Sequence, residues 1–240
     1  YHGPRAPADG RLYLHTSPEY PMKRLLAAGT GDLYQICRVF RDGEAGARHN
    51  PEFTLLEWYR VGWDLARLID EVERLLRNVL AGIRSLPAAD HLTYRDLFLR
   101  YAGVDGLTAD AADLRACLER HGHQAPAGMT DAIAVDTVDD WRDLVLTHVI
   151  EPQLGGLVFV SDYPASQAAL ARVYDSTPQV AARFECYLDG MELANGFSEL
   201  NDAAEQRRQQ HAPHRRVGDH LRTGSPCSGI PATAARGDAA

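Results

Sequence analysis

Two extended runs separated by a charged loop constrain this chain more tightly than any other feature. Leu33-Tyr34-Gln35-Ile36-Cys37-Arg38-Val39-Phe40-Arg41 is rich in β-branched and aromatic residues, and Phe53 to Tyr59 has the same character, so both suit strands. The residues between them, Asp42 to Glu52, are polar and include Gly43 and Gly46. Two strands joined by roughly ten residues make a long hairpin, and a loop of that length in a compact domain is as a rule functional. Arg41, Arg48 and His49 place cationic groups around this loop. Guanidinium groups match phosphate oxygens in pairs, so the loop can wrap a polyphosphate. Phe53, opening the returning strand, offers a ring that can stack on a purine. Composition alone also fits an ordinary solvated loop.

The flanking segments read as follows. Ser17-Pro18-Glu19 is a helix start, with Ser as N-cap and Pro at the first helical position, and the helix runs through Met22, Leu25 and Leu26 to Gly29. Leu65, Leu68, Ile69, Val72, Leu75, Leu76, Val79 and Leu80 recur at helical spacing and predict a helix over 64–81. From 85 to 155 the pattern is helical but weaker, with helices near 93–101, 108–121 and 137–149 and Thr93, Thr108 and Thr137 as caps. This stretch reads as a helical insertion or flank. Leu157 to Ser161 is a short buried strand, and Arg183 to Leu188 and Met191 to Leu200 are two more, joined at Asp189-Gly190, a strong hairpin dipeptide.

Bulk properties narrow the function classes. The chain has 240 residues, 45% hydrophobic and 24% charged, ordinary for a soluble globular protein. A net charge of −8 argues against a broadly basic nucleic-acid surface. No apolar run is long enough to span a membrane, no secretory leader pattern is present, and four scattered cysteines fit free thiols in a reducing cytoplasm. A cytoplasmic protein is expected. From 201 to 240 large apolar residues almost vanish, and such a tail is expected to be disordered. His121 and His123 lack partners at metal-ligand spacing, and no GxGxxG, Walker-type or GxSxG string occurs.

Glu185, Glu192 and Glu199 are the second candidate constellation. Gly190, Asn195 and Gly196 make a helix poor here. On strands, Glu185 and Glu192 lie on opposite sides of the Asp189-Gly190 turn and can face each other. Glu192 and Glu199 are an odd number apart, and a β-bulge at Asn195-Gly196 would restore a common face. Paired carboxylates are hard ligands suited to Mg²⁺ on ATP. Three exposed glutamates are the plainer alternative.

Four strings, in order, carry a resemblance. They are Thr16-Ser17-Pro18-Glu19; Arg48-His49-Asn50-Pro51-Glu52-Phe53-Thr54 with its continuation Leu55-Leu56-Glu57-Trp58-Tyr59; Tyr163-Pro164-Ala165-Ser166-Gln167; and Glu192-Leu193-Ala194-Asn195-Gly196-Phe197-Ser198-Glu199-Leu200. Over residues 12–208 the chain resembles class II aminoacyl-tRNA synthetases of the lysine/aspartate/asparagine subgroup. Pro-Ala-Ser-Gln resembles the lysyltransferases that modify elongation factor P more than full lysyl-tRNA synthetases. The resemblance implies an α+β fold, an antiparallel sheet flanked by helices, with a catalytic domain over 11–200 that includes the 85–155 flank. It implies ATP and Mg²⁺ as cofactors. Arg41 would bind the α-phosphate as the catalytic residue, with Asp42, Gly43, Glu44, His49, Asn50, Phe53, Glu192 and Leu193 around ATP and Glu185 and Glu192 on the metal. Ser17, Pro18, Glu19, Tyr59, Asn195, Phe197 and Glu199 would line the lysine pocket. The implied partners are lysine or β-lysine and elongation factor P as acceptor, without tRNA or membrane. Members of the family are usually homodimers.

The sequence departs from the family pattern in three places. The motif 1 helix and strand expected before residue 11 are not read, Gly43 stands where full synthetases place a glutamate, and the tail over 201–240 replaces motif 3. A truncated member that binds ATP poorly is the resulting expectation. A fragment of a lysyl-tRNA synthetase and an inactive partner-binding paralogue are the alternatives.

Overall fold

A computed structural model describes residues 13–42, 46, 49–124 and 138–202. The expected tail, Gly43, Glu44 and the Thr137 cap lie outside these residues. The first helix, α1 (Glu19–Ala27), begins where the Ser17 hydroxyl accepts the Glu19 N–H at 3.0 Å. The long hairpin follows as β1 (Leu33–Phe40) and β2 (Glu52–Tyr59), a two-stranded antiparallel sheet in register from Leu33↔Tyr59 to Phe40↔Glu52. The Arg41 N–H donates to the Pro51 carbonyl at 2.8 Å. The ladder thus continues past the strand ends and fixes the base of the loop.

α2 (Leu65–Leu80) is capped by Asp64, whose carboxylate accepts the Arg67 N–H at 2.8 Å. Beyond it the structure departs from a purely helical flank. Asp90–Thr93 forms β3, parallel to a later strand. Four residues with one buried apolar side chain, Leu92, leave no periodicity to read, and pairing decides the conformation. Thr93 then caps α3 (Tyr94–Ala102), accepting the Asp96 N–H at 3.1 Å. α4 runs Ala111–Arg120 and is capped by Asp110, not Thr108; aspartate is the better N-cap, and the Thr108 N–H instead closes a turn on the Asp105 carbonyl. α5 (Val138–Val145) continues into a wider π turn over Leu146–Ile150.

The main sheet is built from β3 and β4 (Leu157–Pro164), β5 (Val173–Tyr174), β6 (Val180–Leu188) and β7 (Met191–Phe197). β6 is central, with β4 along one edge and β7 and β5 along the other, all antiparallel. Leu157, Phe159, Phe184 and Cys186 pack on Leu65 and Val72 of α2. Val158, Val160, Tyr163 and Tyr187 pack into a larger core with Tyr94, Phe98, Leu118 and Trp141. Burial on both faces explains why β4 opens as an unbroken apolar run. Among the described residues no helix is long and apolar enough to cross a membrane.

Asp189 and Gly190 both adopt positive φ, 50° and 73°, as a tight hairpin turn requires. The bulge in this hairpin falls at Leu193, since Cys186 pairs with Ala194 and Tyr187 with Glu192. It lies two residues before the Asn195-Gly196 expected from sequence. Gly196 answers a packing need instead, because a Cβ there would stand 2.6 Å from the Phe184 ring. The effect on parity is the expected one: Glu192, Asn195 and Phe197 align with Tyr187, Glu185 and Arg183.

A Cβ at Gly190 would lie 2.2 Å from the Glu151 carbonyl oxygen, whereas one at Gly103, with φ +67°, would meet nothing within 4 Å. Gly103→Ala is expected to cost about 1–2 kcal/mol, from the left-handed backbone alone. Gly190→Ala should cost at least twice as much; urea unfolding of the two variants measures the gap.

Candidate active site

Three segments converge on one cluster of charges: the start of α1, the end of β2 and the residues just after β7. On β2 the Glu57 carboxylate accepts from the Ser17 hydroxyl at 2.8 Å and from the Tyr59 hydroxyl at 2.8 Å. On α1, Lys23 sits one helical turn past Glu19, and its ammonium lies 2.7 Å from a Glu19 oxygen and 2.7 Å from a Glu199 oxygen. The Phe197 ring centroid is 5.3 Å from the same nitrogen. Glu199 is held from behind by its backbone bridge to Ala171 and by the Leu200 N–H donating to the Leu170 carbonyl at 3.0 Å.

The electrostatics follow from this crowding. Burial raises the Tyr59 phenol, and Glu57, Glu19 and Glu199 push it further, so it stays a hydrogen-bond donor. Burial also raises the Glu199 carboxyl, against the pull of Lys23. Burial works against the Lys23 ammonium, but its bonds to Glu19 and Glu199 outweigh that and leave its pKa above the ordinary lysine value. Ser17, Glu19, Tyr59, Phe197 and Glu199 from the sequence reading thus come together, with Pro18 leading into the helix. Asn195 does not join them; its amide donates to Glu192 at 3.3 Å. Glu57 and Lys23 were not among the sequence candidates. The strand period from Tyr59 and the i, i+4 spacing from Glu19 point to them.

At the hairpin base, the Arg41 Nε donates to the Thr16 carbonyl at 3.3 Å, and its guanidinium lies 5.1 Å from the Phe53 ring centroid. His49 and Gly46 exchange backbone hydrogen bonds at 3.0 and 3.4 Å, which folds that side of the loop back on itself. Asn50 is exposed beside them. This leaves Arg41 and Phe53 as a cationic and an aromatic surface at one end of the charged cluster.

The two glutamates expected to share a metal have different surroundings. Glu185 is buried, and both its oxygens are committed, to the Arg183 guanidinium and the Tyr187 hydroxyl. Arg183 also donates to the Gln167 carbonyl at 2.8 Å and lies 4.4 Å from the Tyr163 ring centroid. Glu192 is solvent-reachable, yet protein atoms around it raise its carboxyl, and Glu185 raises it further. Among the described residues no group of three His, Cys, Asp or Glu stands ready to hold a metal alone. The Pro-Ala-Ser-Gln segment is a short 3₁₀ turn over Ala165–Gln167. Ser166 donates to Asp139 at 2.9 Å and Gln167 to Asp143 at 2.9 Å, so the turn ties α5 to Arg183.

A model of class II tRNA synthetases (D, K and N) matches residues 4–216, and the chain belongs to that family. The α+β architecture agrees with it. Within the family, the chain is 46% identical over 220 residues to the elongation factor P--(R)-beta-lysine ligase of Sodalis glossinidius (strain morsitans). It is also 46% identical, over 218 residues each, to the ligases of that name from Pectobacterium atrosepticum and Pectobacterium carotovorum subsp. carotovorum. These matches cover 89% of this chain and 64% of each relative.

Removing one partner of a buried ion pair leaves an uncompensated charge. Arg183→Met is therefore expected to cost about 3–5 kcal/mol, and Arg38→Met, which breaks an exposed pair with Glu52, less than about 1 kcal/mol; chemical denaturation compares them. Burial first, with Asp139, Glu185 and Asp140 adding, lifts the Asp143 carboxyl from 3.8 to about 6 against the Gln167 hydrogen bond. A carboxyl with a raised folded-state pKa favours folding while protonated, so stability falls as pH rises through that interval. Asp143→Asn is expected to match the wild type at pH 4 and to exceed it in melting temperature at pH 7.

Proposed function

We propose that this chain carries the amino-acid-activating site of an ATP-dependent ligase that joins lysine or β-lysine to a lysine side chain of elongation factor P. One observation carries the reading: Glu19 and Glu199, with Glu57 and Tyr59 behind them, surround an alkylammonium, that of Lys23, over the Phe197 ring. Two carboxylates and an aromatic face are the chemistry that recognises a primary ammonium. The names of the matched relatives, ligases of (R)-β-lysine to elongation factor P, support the substrate and the acceptor. Among the described residues the free thiols of Cys37, Cys117 and Cys186 fit a cytoplasmic setting.

In this reading a carboxylate oxygen of the amino acid attacks the α-phosphorus of ATP, and pyrophosphate leaves. Arg41, fixed at the hairpin base, stabilises the charge developing on the phosphoryl oxygens. Phe53 offers adenine a ring face, and Asp42, Gly43, Glu44, His49, Asn50 and Leu193 supply the remaining nucleotide contacts. Glu192, the open carboxylate of the pair, fits a Mg²⁺ carried on the phosphates, since such ions take one or two protein carboxylates and complete their shell with phosphate and water. When bound, the ion neutralises phosphate charge. Glu185, held by Arg183 and Tyr187, keeps the strand opposite Glu192 in place. The acceptor amine then attacks the acyl carbonyl, and AMP departs.

The test is to incubate the chain with ATP, Mg²⁺ and labelled lysine or (R)-β-lysine, offering elongation factor P and tRNA in separate reactions. Label is expected on elongation factor P, and Arg41→Ala should slow its appearance about 10²–10³-fold, as loss of a preorganised charge does elsewhere. Label on tRNA alone would overturn the assignment of the acceptor.

A further inference from the structure

We propose that Lys23 is a positioning residue that sets the charge and geometry of the amino-acid pocket and so selects substrates with two amino groups; this rests on the pocket assignment above. Lys23 is the only lysine of the chain; arginine occupies the other Lys/Arg positions. It reaches across from α1 to the segment after β7. Each of its two carboxylate partners bonds the same nitrogen at 2.7 Å, so Glu19 and Glu199 are brought within two hydrogen-bond lengths of each other. Without a cation between them, like charges at that separation repel.

Lys23 takes Oε1 of Glu19 and Oε2 of Glu199. Among the described residues, the second oxygen of each has no hydrogen-bond partner. Glu57 has neither oxygen to spare, since Ser17 and Tyr59 occupy both. The pocket therefore presents two open carboxylate oxygens. Three carboxylates against one ammonium leave it two negative charges, enough to balance the two ammonium groups of lysine or β-lysine. An arginine could not serve in the same way: its planar fork would take both oxygens of a carboxylate, whereas an ammonium is a compact point charge that two carboxylates can share. The groups at Lys23 are Glu19 on its own helix, Glu199 after β7 and the ring of Phe197 at the end of β7, with Glu57 and Tyr59 of β2 beside the two glutamates.

The experiment is equilibrium binding of labelled lysine and (R)-β-lysine to the whole chain between pH 5.5 and 8.5, with norleucine as the single-amine competitor. Lys23→Met is expected to weaken binding of both diamino acids at least tenfold and to shrink their advantage over norleucine. It should also make binding fall steeply on the acid side, where Glu199, half-buried and without the pull of Lys23, takes up a proton. Lys23→Arg should restore the pH profile but not the full affinity. Acetylating the folded wild-type chain removes the same charge at its one lysine side chain, and reductive methylation keeps that charge; the first should reproduce Lys23→Met and the second should not. This pair decides the question if the substituted chains do not fold. Wild-type affinity, selectivity and pH profile after loss of the Lys23 charge would overturn the proposal. Failure of the wild type to bind either diamino acid would instead overturn the pocket assignment.

Discussion

Arg183 is a cation on the central strand of the sheet, and the site around it depends on how that charge is kept out of water. A buried guanidinium is tolerable only with its donors satisfied and its charge paired. Here Glu185 takes the charge, the Gln167 carbonyl takes a second donor at 2.8 Å, and the Tyr163 ring covers one face. Each partner comes from a different place: Glu185 from the same strand, Tyr163 from the neighbouring strand, Gln167 from the turn that follows it. The ion pair thus fixes the relative positions of β4, β6 and the Ala165–Gln167 turn. Burial, and then Glu185 so fixed, disfavour the ionised form of Glu192.

The bulge at Leu193 connects this interior to the charged cluster around Lys23. One extra residue on β7 reverses the alternation, so Glu192, Asn195 and Phe197 share a face with Arg183, Glu185 and Tyr187. Phe197 then leads into Ser198–Leu200, whose backbone is stitched to Ala182 and Leu170. Glu199 is carried to Lys23 by that stitching, not by the strand itself. Glu192 and Glu199 are therefore carried by β7 and by the stitched segment that follows it.

What was legible in the sequence was local and strongly patterned. The strand-forming runs of β1 and β2, the helical stripe of α2 and the Asp189-Gly190 turn all follow from short-range chemistry, whereas α1 starts one residue later than expected, with Pro18 and not Ser17 at its N-cap position. The family strings hold Ser17, Glu19, Tyr59, Phe197 and Glu199, which the fold brings together around Lys23. The illegible features depend on distant partners. β3 exists because β4 offers it an edge, and its own four residues carry no pattern. The bulge fell at Leu193 because Gly196 was already needed beneath the Phe184 ring. Asp110 displaced Thr108 as a cap by being the better acceptor, immediately before Ala111. Glu57 and Lys23 escaped because an ion pair on a surface helix and a glutamate in a strand look ordinary until Glu199 and Tyr59 are seen beside them.

The two sheets differ in how firmly they are rooted. β4 and β6 are buried on both faces, while the β1–β2 ribbon leaves Tyr34 74% and Ile36 63% exposed, and a two-stranded ribbon in water is marginal on its own. Glu57 and Tyr59 ride on the ribbon; Phe197 and Glu199 ride on the slab. The pocket thus straddles a mechanical boundary between a part that opens only on global unfolding and a part that can loosen alone. A ligand bridging the boundary would clamp the ribbon to the slab, so that occupancy of the pocket and stiffness of the hairpin rise together.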